Sequence, residues 1–552
     1  MKRKILSFIL ILLFLAAVPG NFEVDAASAV VGNGTSGSCT EVAFDSALTA
    51  ANSGGGTITF NCGAAVKTII FTSIKNILTN NVIINGNDLI ILSGGNSSGL
   101  FLVNGGLTFR LQHIVLSNGN SSDHGGAIES TGAQVFLESV QLNNNHATNQ
   151  GGAVYCYVGT GGTLTVSNSS FENNSSNSGG AIFNDGCIAT ISNTTFKTNQ
   201  ASSGSGGTGG AVHNASPASL TISKSLFQSN SAADGAAVYI ANGSTAILNS
   251  VTFQSNTGGY GGGFENSGIT TVNDSLFDSN MVSGSGGGIW NLNGAVTLNR
   301  TTVRNNIAYQ GGGINTYGTS LDITDANIVN NITTGTNGGG IFAGGGTTFI
   351  TNATISGNHA VGAAADGGGI YHNSDDNLTL TNVTLVNNQA DSLGGGLYHY
   401  GRYAILTNVT IGNNTALAGN AIYEDSPMTL ANPGVVQLKN SVIFGSANNC
   451  DGGIFLSSGN NISKGNCVSL SLLTDQNNYA GNLHLSSLTF NGGAFPMQTM
   501  APLAGSPLID AGGSCSATDQ RGEVRPIGLA CDIGAVEYGA AVYYLFLPSI
   551  KH

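Results

Sequence analysis

The chain has 552 residues, of which only 8% are charged, and a formal net charge of −13. That balance, with no basic stripe, excludes nucleic acid and anionic lipid as expected partners. Length alone would suggest about three or four globular domains, but a short internal repeat overrides it.

In chain order, residues 1–29 read as a secretion signal: Lys2-Arg3-Lys4, an apolar run from Ile5 to Val18, then small residues. Val24-Asp25-Ala26 and Ala27-Ser28-Ala29 both offer cleavage points. An exported bacterial chain is expected, secreted or held at the surface, with no membrane-spanning segment in its mature form. Residues 30–60 form an N-terminal cap. Ser38-x-x-Glu41 reads as a capping box, and Val42, Phe44, Ala47, Leu48 and Ala51 supply an apolar face, which predicts a helix over 38–52. Such a helix, ahead of Thr57-Ile58-Thr59-Phe60, would plug the open end of a solenoid. Residues 61–124 read as irregular first coils, with Val82-Ile83-Ile84 and Leu89-Ile90-Ile91-Leu92 as strands.

Over residues 125–446 the phrase seen as Gly179-Gly180-Ala181-Ile182-Phe183-Asn184 returns, its first Gly at 125, 151, 179, 209, 235, 261, 286, 311, 338, 367, 394 and 419. A period of 25–30 residues is that of a solenoid. A second phrase runs in phase, as in Phe171-x-x-Asn174, Phe196-x-x-Asn199 and Phe277-x-x-Asn280, and a third run, such as Thr163-Leu164-Thr165-Val166, lies between. Each unit therefore reads as three short alternating strands with no room for a helix. The residue three after the first Gly is always apolar, from Ile128 to Ile422, and points inward; the Ala or Gly before it marks a tight bend or a shallow outer floor. The Asn ending the second phrase is expected in a left-handed bend, its amide bonded coil to coil. The predicted fold is all-β: a single-stranded parallel β-helix, three strands per coil, right-handed by the crossover preference.

Residues 447–505 read as last irregular coils, 506–540 as a C-terminal cap over the last coil, and 541–552 as an apolar tail. Asp519, Arg521, Arg525, Asp532 and Glu537 are expected to salt-bridge that cap. In an exported chain eight cysteines suggest disulfides between sequence neighbours: Cys39 with Cys62, Cys156 with Cys187, Cys450 with Cys467 and Cys515 with Cys531. Four bridges, or at least three, are expected, and the spacings match no zinc pattern.

The paired GGA-[I/V/L] and FxxN phrases resemble the repeats of chlamydial polymorphic outer-membrane proteins and related bacterial β-helix proteins, over residues 125–446. The resemblance implies a right-handed β-helix and a role in surface adhesion. Residues 506–538, with Asp519-Gln520-Arg521-Gly522, Arg525-Pro526 and Cys531-Asp532-Ile533-Gly534-Ala535, resemble the terminal segment of bacterial β-helix proteins with a choice-of-anchor C-terminus. The region after 432 lacks the strand series of an outer-membrane barrel, which separates it from the chlamydial proteins.

Chemistry is sought on the outward columns. The position four after the first Gly alternates with the apolar column and holds eight aromatics: Tyr155, Phe183, Tyr239, Trp290, Phe342, Tyr371, Tyr398 and Tyr423. An exposed aromatic file is expected either to stack on sugars or to stack on itself. The next position gives His372, His399 and Glu424 on consecutive coils, near Asp375, Asp376 and Arg402. Two His and a Glu are a zinc-competent set and also an acid–base set; polar residues at a solvated bend are the plainer reading. No metal and no cofactor is expected. The function expected is non-catalytic adhesion or glycan binding by a monomer, with polysaccharide or a surface glycoprotein as partner. The alternative is a polysaccharide lyase or glycoside hydrolase of pectin-lyase-like fold, centred on residues 366–425. No aspartate cluster shared by successive coils supports that alternative.

Overall fold

The computed structural model describes residues 28–159, 161–202, 206–425, 434–467 and 470–539; the expected signal (but for residues 28 and 29) and the apolar tail lie outside them. The repeat folds as a parallel β-helix. One sheet of 15 strands takes one strand per coil, from Lys75–Ile77 to Cys450–Gly452; the others have 28 and 11 strands. Register follows the repeat: Ile182 pairs with Val154 and Val212, one coil to either side. The position-three column is fully buried from Ile128 to Ile422, and one continuous apolar core runs from Val31 to Leu470.

The Gly pair has a steric origin. Gly179 has φ +64°, and a Cβ on it would lie 2.4 Å from the Ile182 carbonyl oxygen. A Cβ on Gly180 would lie 2.1 Å from the carbonyl oxygen of Gly210 on the next coil. The left-handed first position is Gly on every one of the twelve coils, whereas the second also admits Ala236 and Asn420. The Ala or Gly that follows, such as Ala127 or Ala181, is part of the core, so the bend is tight and no outer floor exists there.

The amides ending the second phrase form a buried ladder from Asn145 to Asn414. At each rung the backbone N–H and the Nδ2 of one Asn donate to the Oδ1 of the next, as from Asn280 to Asn306 at 2.9 Å for both. The left-handed residue is the one before the ladder Asn, such as Asn173 or Ser279, and not the ladder Asn itself. Leaving the strand one residue early turns the amide inward, where only its neighbours can satisfy it.

The N-terminal plug is a helix, Glu41–Gly54, with Phe44, Ala47, Leu48 and Ala51 buried. Its N-cap is Thr40, whose hydroxyl accepts from the Ala43 N–H at 3.2 Å. Ser38 instead belongs to a 3-10 turn, so the N-cap lies two residues later than expected and, with Ala43 three residues on, the reciprocal half of a capping box is missing. Val42 is 74% exposed, and Glu41 reaches forward to Lys75 at 2.7 Å. All four expected disulfides are present; Cys156 and Cys187 bridge adjacent coils with a Cα–Cα distance of 6.2 Å.

The chain after about residue 463 departs from expectation. Parallel pairing ends near Ile462–Ser463, short of residue 505, and residues 489–499 form an antiparallel hairpin. The segment expected over the last coil instead runs back along the outside of the 28-stranded sheet. Asn440, Asn408 and Asn382 donate to Ser514, Ser516 and Thr518, and Gln520 Nε2 reaches the Ala353 carbonyl at 2.8 Å. The expected ion pairs do form: Arg521 with Asp519 at 2.6 Å and Arg525 with Glu537 at 2.7 Å, all four side chains buried. They tie this strap to itself while its amides and hydroxyls tie it to the coils.

Candidate functional site

Position four points away from the core but is not a solvated face. It packs against the residue that precedes the Gly bend, of the coil before or of its own. His124 stacks on Tyr155 with centroids 4.4 Å apart, Tyr260 on Trp290 at 4.4 Å, and Thr208 bonds His213 at 2.6 Å. Within the column the rings stack in register: Phe342, Tyr371 and Tyr398 have centroids 5.0 and 4.8 Å apart and lie within 14° of parallel. Tyr155, Phe183, Phe342, Tyr371 and Tyr398 are consequently buried, and Tyr239, Trp290 and Tyr423 half-buried. The expectation of an exposed aromatic file is corrected: ring faces about 4.8 Å apart cover one another, and no sugar fits between.

One end of the file is different. Tyr423 stacks on Tyr398 at 5.7 Å on one side, but its partner on the next coil is Asp451, an exposed carboxylate rather than a ring. Asp425, also exposed, accepts the Tyr398 hydroxyl. Burial, then the Asp425 and Asp451 carboxylates, hold the Tyr423 hydroxyl above its ordinary range. Burial foremost, with Asp366 adding, pushes Tyr371 up to about 12.

The same column holds a buried carboxylate, Glu265, at a position that its polarity alone would place in solvent. Glu265 is 2% exposed, and one carboxylate oxygen has no hydrogen-bond partner. Burial, reinforced by the charge of Asp234, pushes its carboxyl up to about 9. Its place among rings, between Tyr239 and Trp290, was the available signal.

His372, His399 and Glu424 lie inside the solenoid, which corrects the solvated-bend reading. Position five shares the parity of position three, so both face the core. His372 and His399 are 0% exposed, with stacked rings and their Nδ1 atoms 2.9 Å apart; His399 Nε2 lies 3.6 Å from Glu424 Oε2. Burial pulls His372 down to about 4 and, with His372 beside it, His399 down to about 3. They continue an inward polar column in which Asn266 Nδ2 donates to Asn291 at 2.9 Å and Asn291 to Thr316 at 3.0 Å. Asp375, Asp376 and Arg402 are exposed, and Arg402 lies over the Tyr403 ring. The candidate catalytic residues are thus split between core and solvent. Among the described residues no group of three or more His, Cys, Asp or Glu could hold a metal ion.

With this geometry in place, the comparisons with known proteins can be stated. Residues 139–157 and 168–185 match the family described as Chlamydia polymorphic membrane protein (Chlamydia_PMP) repeat. That is the repeat the paired phrases resemble. Among solved structures the chain is similar to one titled "Crystal structure of pectate lyase Pel9A", at 13% identity over 74% of this chain and 88% of that one, with a TM-score of 0.28. No curated protein matches. The repeats, the β-helix and the four disulfides fit an exported β-helix protein. Among the described residues no helix is long and apolar enough to cross a membrane.

Proposed function

We propose that the chain is an exported, non-catalytic adhesion solenoid that acts as a monomer and holds polysaccharide or the glycan of a surface glycoprotein at the end of its aromatic file. The observation that carries this reading is Tyr423, stacked by a ring on one side only, with exposed Asp425 and Asp451 beside it. An aromatic face takes the apolar side of a sugar while carboxylates accept from its hydroxyls. Tyr398, Tyr371 and Phe342 stack in turn beneath that platform rather than touching ligand.

A glycan array on the mature protein tests the reading. Tyr423→Ala is expected to weaken binding to any hit by about 1 kcal/mol or more, and Asp451→Asn to weaken it without changing the fold. Equal binding by both variants would remove the site from consideration. The lyase or hydrolase alternative gains nothing from sealed imidazoles. It would return only if reducing-end or unsaturated-product assays on those hits found turnover that His399→Ala abolished.

A further inference from the structure

The outer face of the 28-stranded sheet carries one continuous column: Thr195, Leu226, Thr252, Leu276, Thr302, Asn327, Thr354, Thr384 and Thr410, each paired with the next. From Asn327 onward later chain occupies it, first the 489–499 hairpin and then the strap. Asn327 Nδ2 donates to the Pro496 carbonyl at 3.2 Å, Thr354 Oγ1 to that of Gln498 at 2.6 Å, and Thr410 Oγ1 accepts from the Ala535 N–H at 3.0 Å. Ser514, Ser516 and Thr518 meet Asn440, Asn408 and Asn382, so alternate residues of an extended chain meet successive coils. The groove therefore already seats polypeptide, through hydroxyls and amides that read the backbone.

Ahead of Asn327 the column lines an open cleft of about 790 Å³, with Thr195, Leu226, Thr252 and Leu276 on its floor and Asn193, Lys224, Asp278 and Arg304 at its rim. Leu226 and Leu276, two coils apart, are half-buried. Asp278 is already paired with Arg304 at 2.8 Å, and the nearby Asp274 with Arg300 at 2.6 Å. A charged guest would find both guanidinium–carboxylate pairs engaged, and Lys224 is left to a carbonyl or hydroxyl of an uncharged one. The strap residues that read three coils, Ser514 to Thr518, are themselves uncharged.

We propose that this cleft seats an extended, uncharged polypeptide segment of a partner protein, two residues per coil, with apolar side chains four residues apart resting on Leu226 and Leu276. Thr195, Thr252 and Lys224 then meet its backbone carbonyls, as Asn382, Asn408 and Thr354 meet those and the hydroxyls of the strap. The spacing follows from the groove: the guest repeats every two residues per coil, and the leucines recur every second coil.

The probe is a fluorescein-labelled peptide, Ser-Leu-Ser-Thr-Ser-Leu-Ser-Thr, titrated against the mature chain by fluorescence anisotropy. Saturable binding is expected, at least about tenfold weaker for Leu276→Asp or Leu226→Asp and for a peptide with its leucines three residues apart. Tyr423→Ala should leave it unchanged. Should the Asp variants fail to fold, Leu276→Thr, which copies its neighbours Thr252 and Thr302, keeps the fold and must still weaken binding measurably. Absence of saturable binding, affinity unchanged in the folded groove variants, or displacement by a soluble oligosaccharide would each overturn the proposal.

Discussion

Tyr398 shows how far a side chain's worth depends on its neighbours. On an exposed file its loss would cost little, but it is 5% exposed, with Tyr371 and Tyr423 on its two faces. Tyr398→Ala should therefore destabilise the protein by about 2–4 kcal/mol, measured by denaturant unfolding, whereas Tyr423→Ala should cost clearly less. The buried imidazoles give a pH signature. His372 and His399 titrate at about 4 and about 3 in the fold, against an ordinary value of about 6.5 unfolded. The unfolded chain then binds more protons between those values, so stability is full above about pH 6.5 and falls as the pH drops toward 4. At pH 4.5 each contributes a loss of about 2 kcal/mol, and His372→Leu combined with His399→Leu should flatten that acid limb. Glu265 has the opposite sign. With a folded value of about 9, its contribution is present below the ordinary carboxylate range and is lost as the pH rises toward 9. Glu265→Gln keeps the shape without the charge, and it should raise the unfolding free energy at pH 8 by on the order of 5 kcal/mol.

At the scale of the element, the Asn ladder couples coils that have little else to distinguish their register. Asn280 Nδ2 donates to the Phe253 carbonyl at 3.0 Å and to Asn306 at 2.9 Å, while its Oδ1 accepts from Asn256. Asn280→Ala would leave the Asn256 amide donors and the Phe253 carbonyl unsatisfied on the preceding coil, while Asn306 Oδ1 keeps the Asn280 backbone N–H, at about 2–4 kcal/mol in all. Loss of the cooperative melt beyond that figure would mean the rung also sets register. The helical plug obeys the same logic: Thr40 supplies the capping hydroxyl, and Lys75, buried beneath the helix, is held by Glu41 and Asp45 at 2.7 and 2.8 Å.

Across the whole molecule the strap does what the expected end cap would not. By crossing coils from Ala353 to Asn440 it links parts of a solenoid that otherwise touch only their neighbours. Gln520 is its pivot, buried and donating to Ala353 at 2.8 Å and Thr354 at 2.9 Å. Gln520→Ala should free the strap first, and hydrogen exchange should rise across the strands holding Thr354 and Thr384 before the N-terminal coils respond. Equal protection throughout would make the strap an appendage.

The period, the inward apolar column, the Gly pair and the disulfide pairs were legible in the chain, because each is a local demand repeated at a fixed spacing. A bend that only Gly can make, or a strand that alternates every two residues, needs no knowledge of distant residues. Parity even held the answer for His372 and His399, since position five faces the same way as position three. What the chain could not declare was which outward positions reach water. Position four packs against the residue that precedes the Gly bend of the coil before it, and the strap covers Thr354 and Thr384 from more than a hundred residues away. Solvent access is set by what comes to lie over a side chain, and only the tertiary structure decides that.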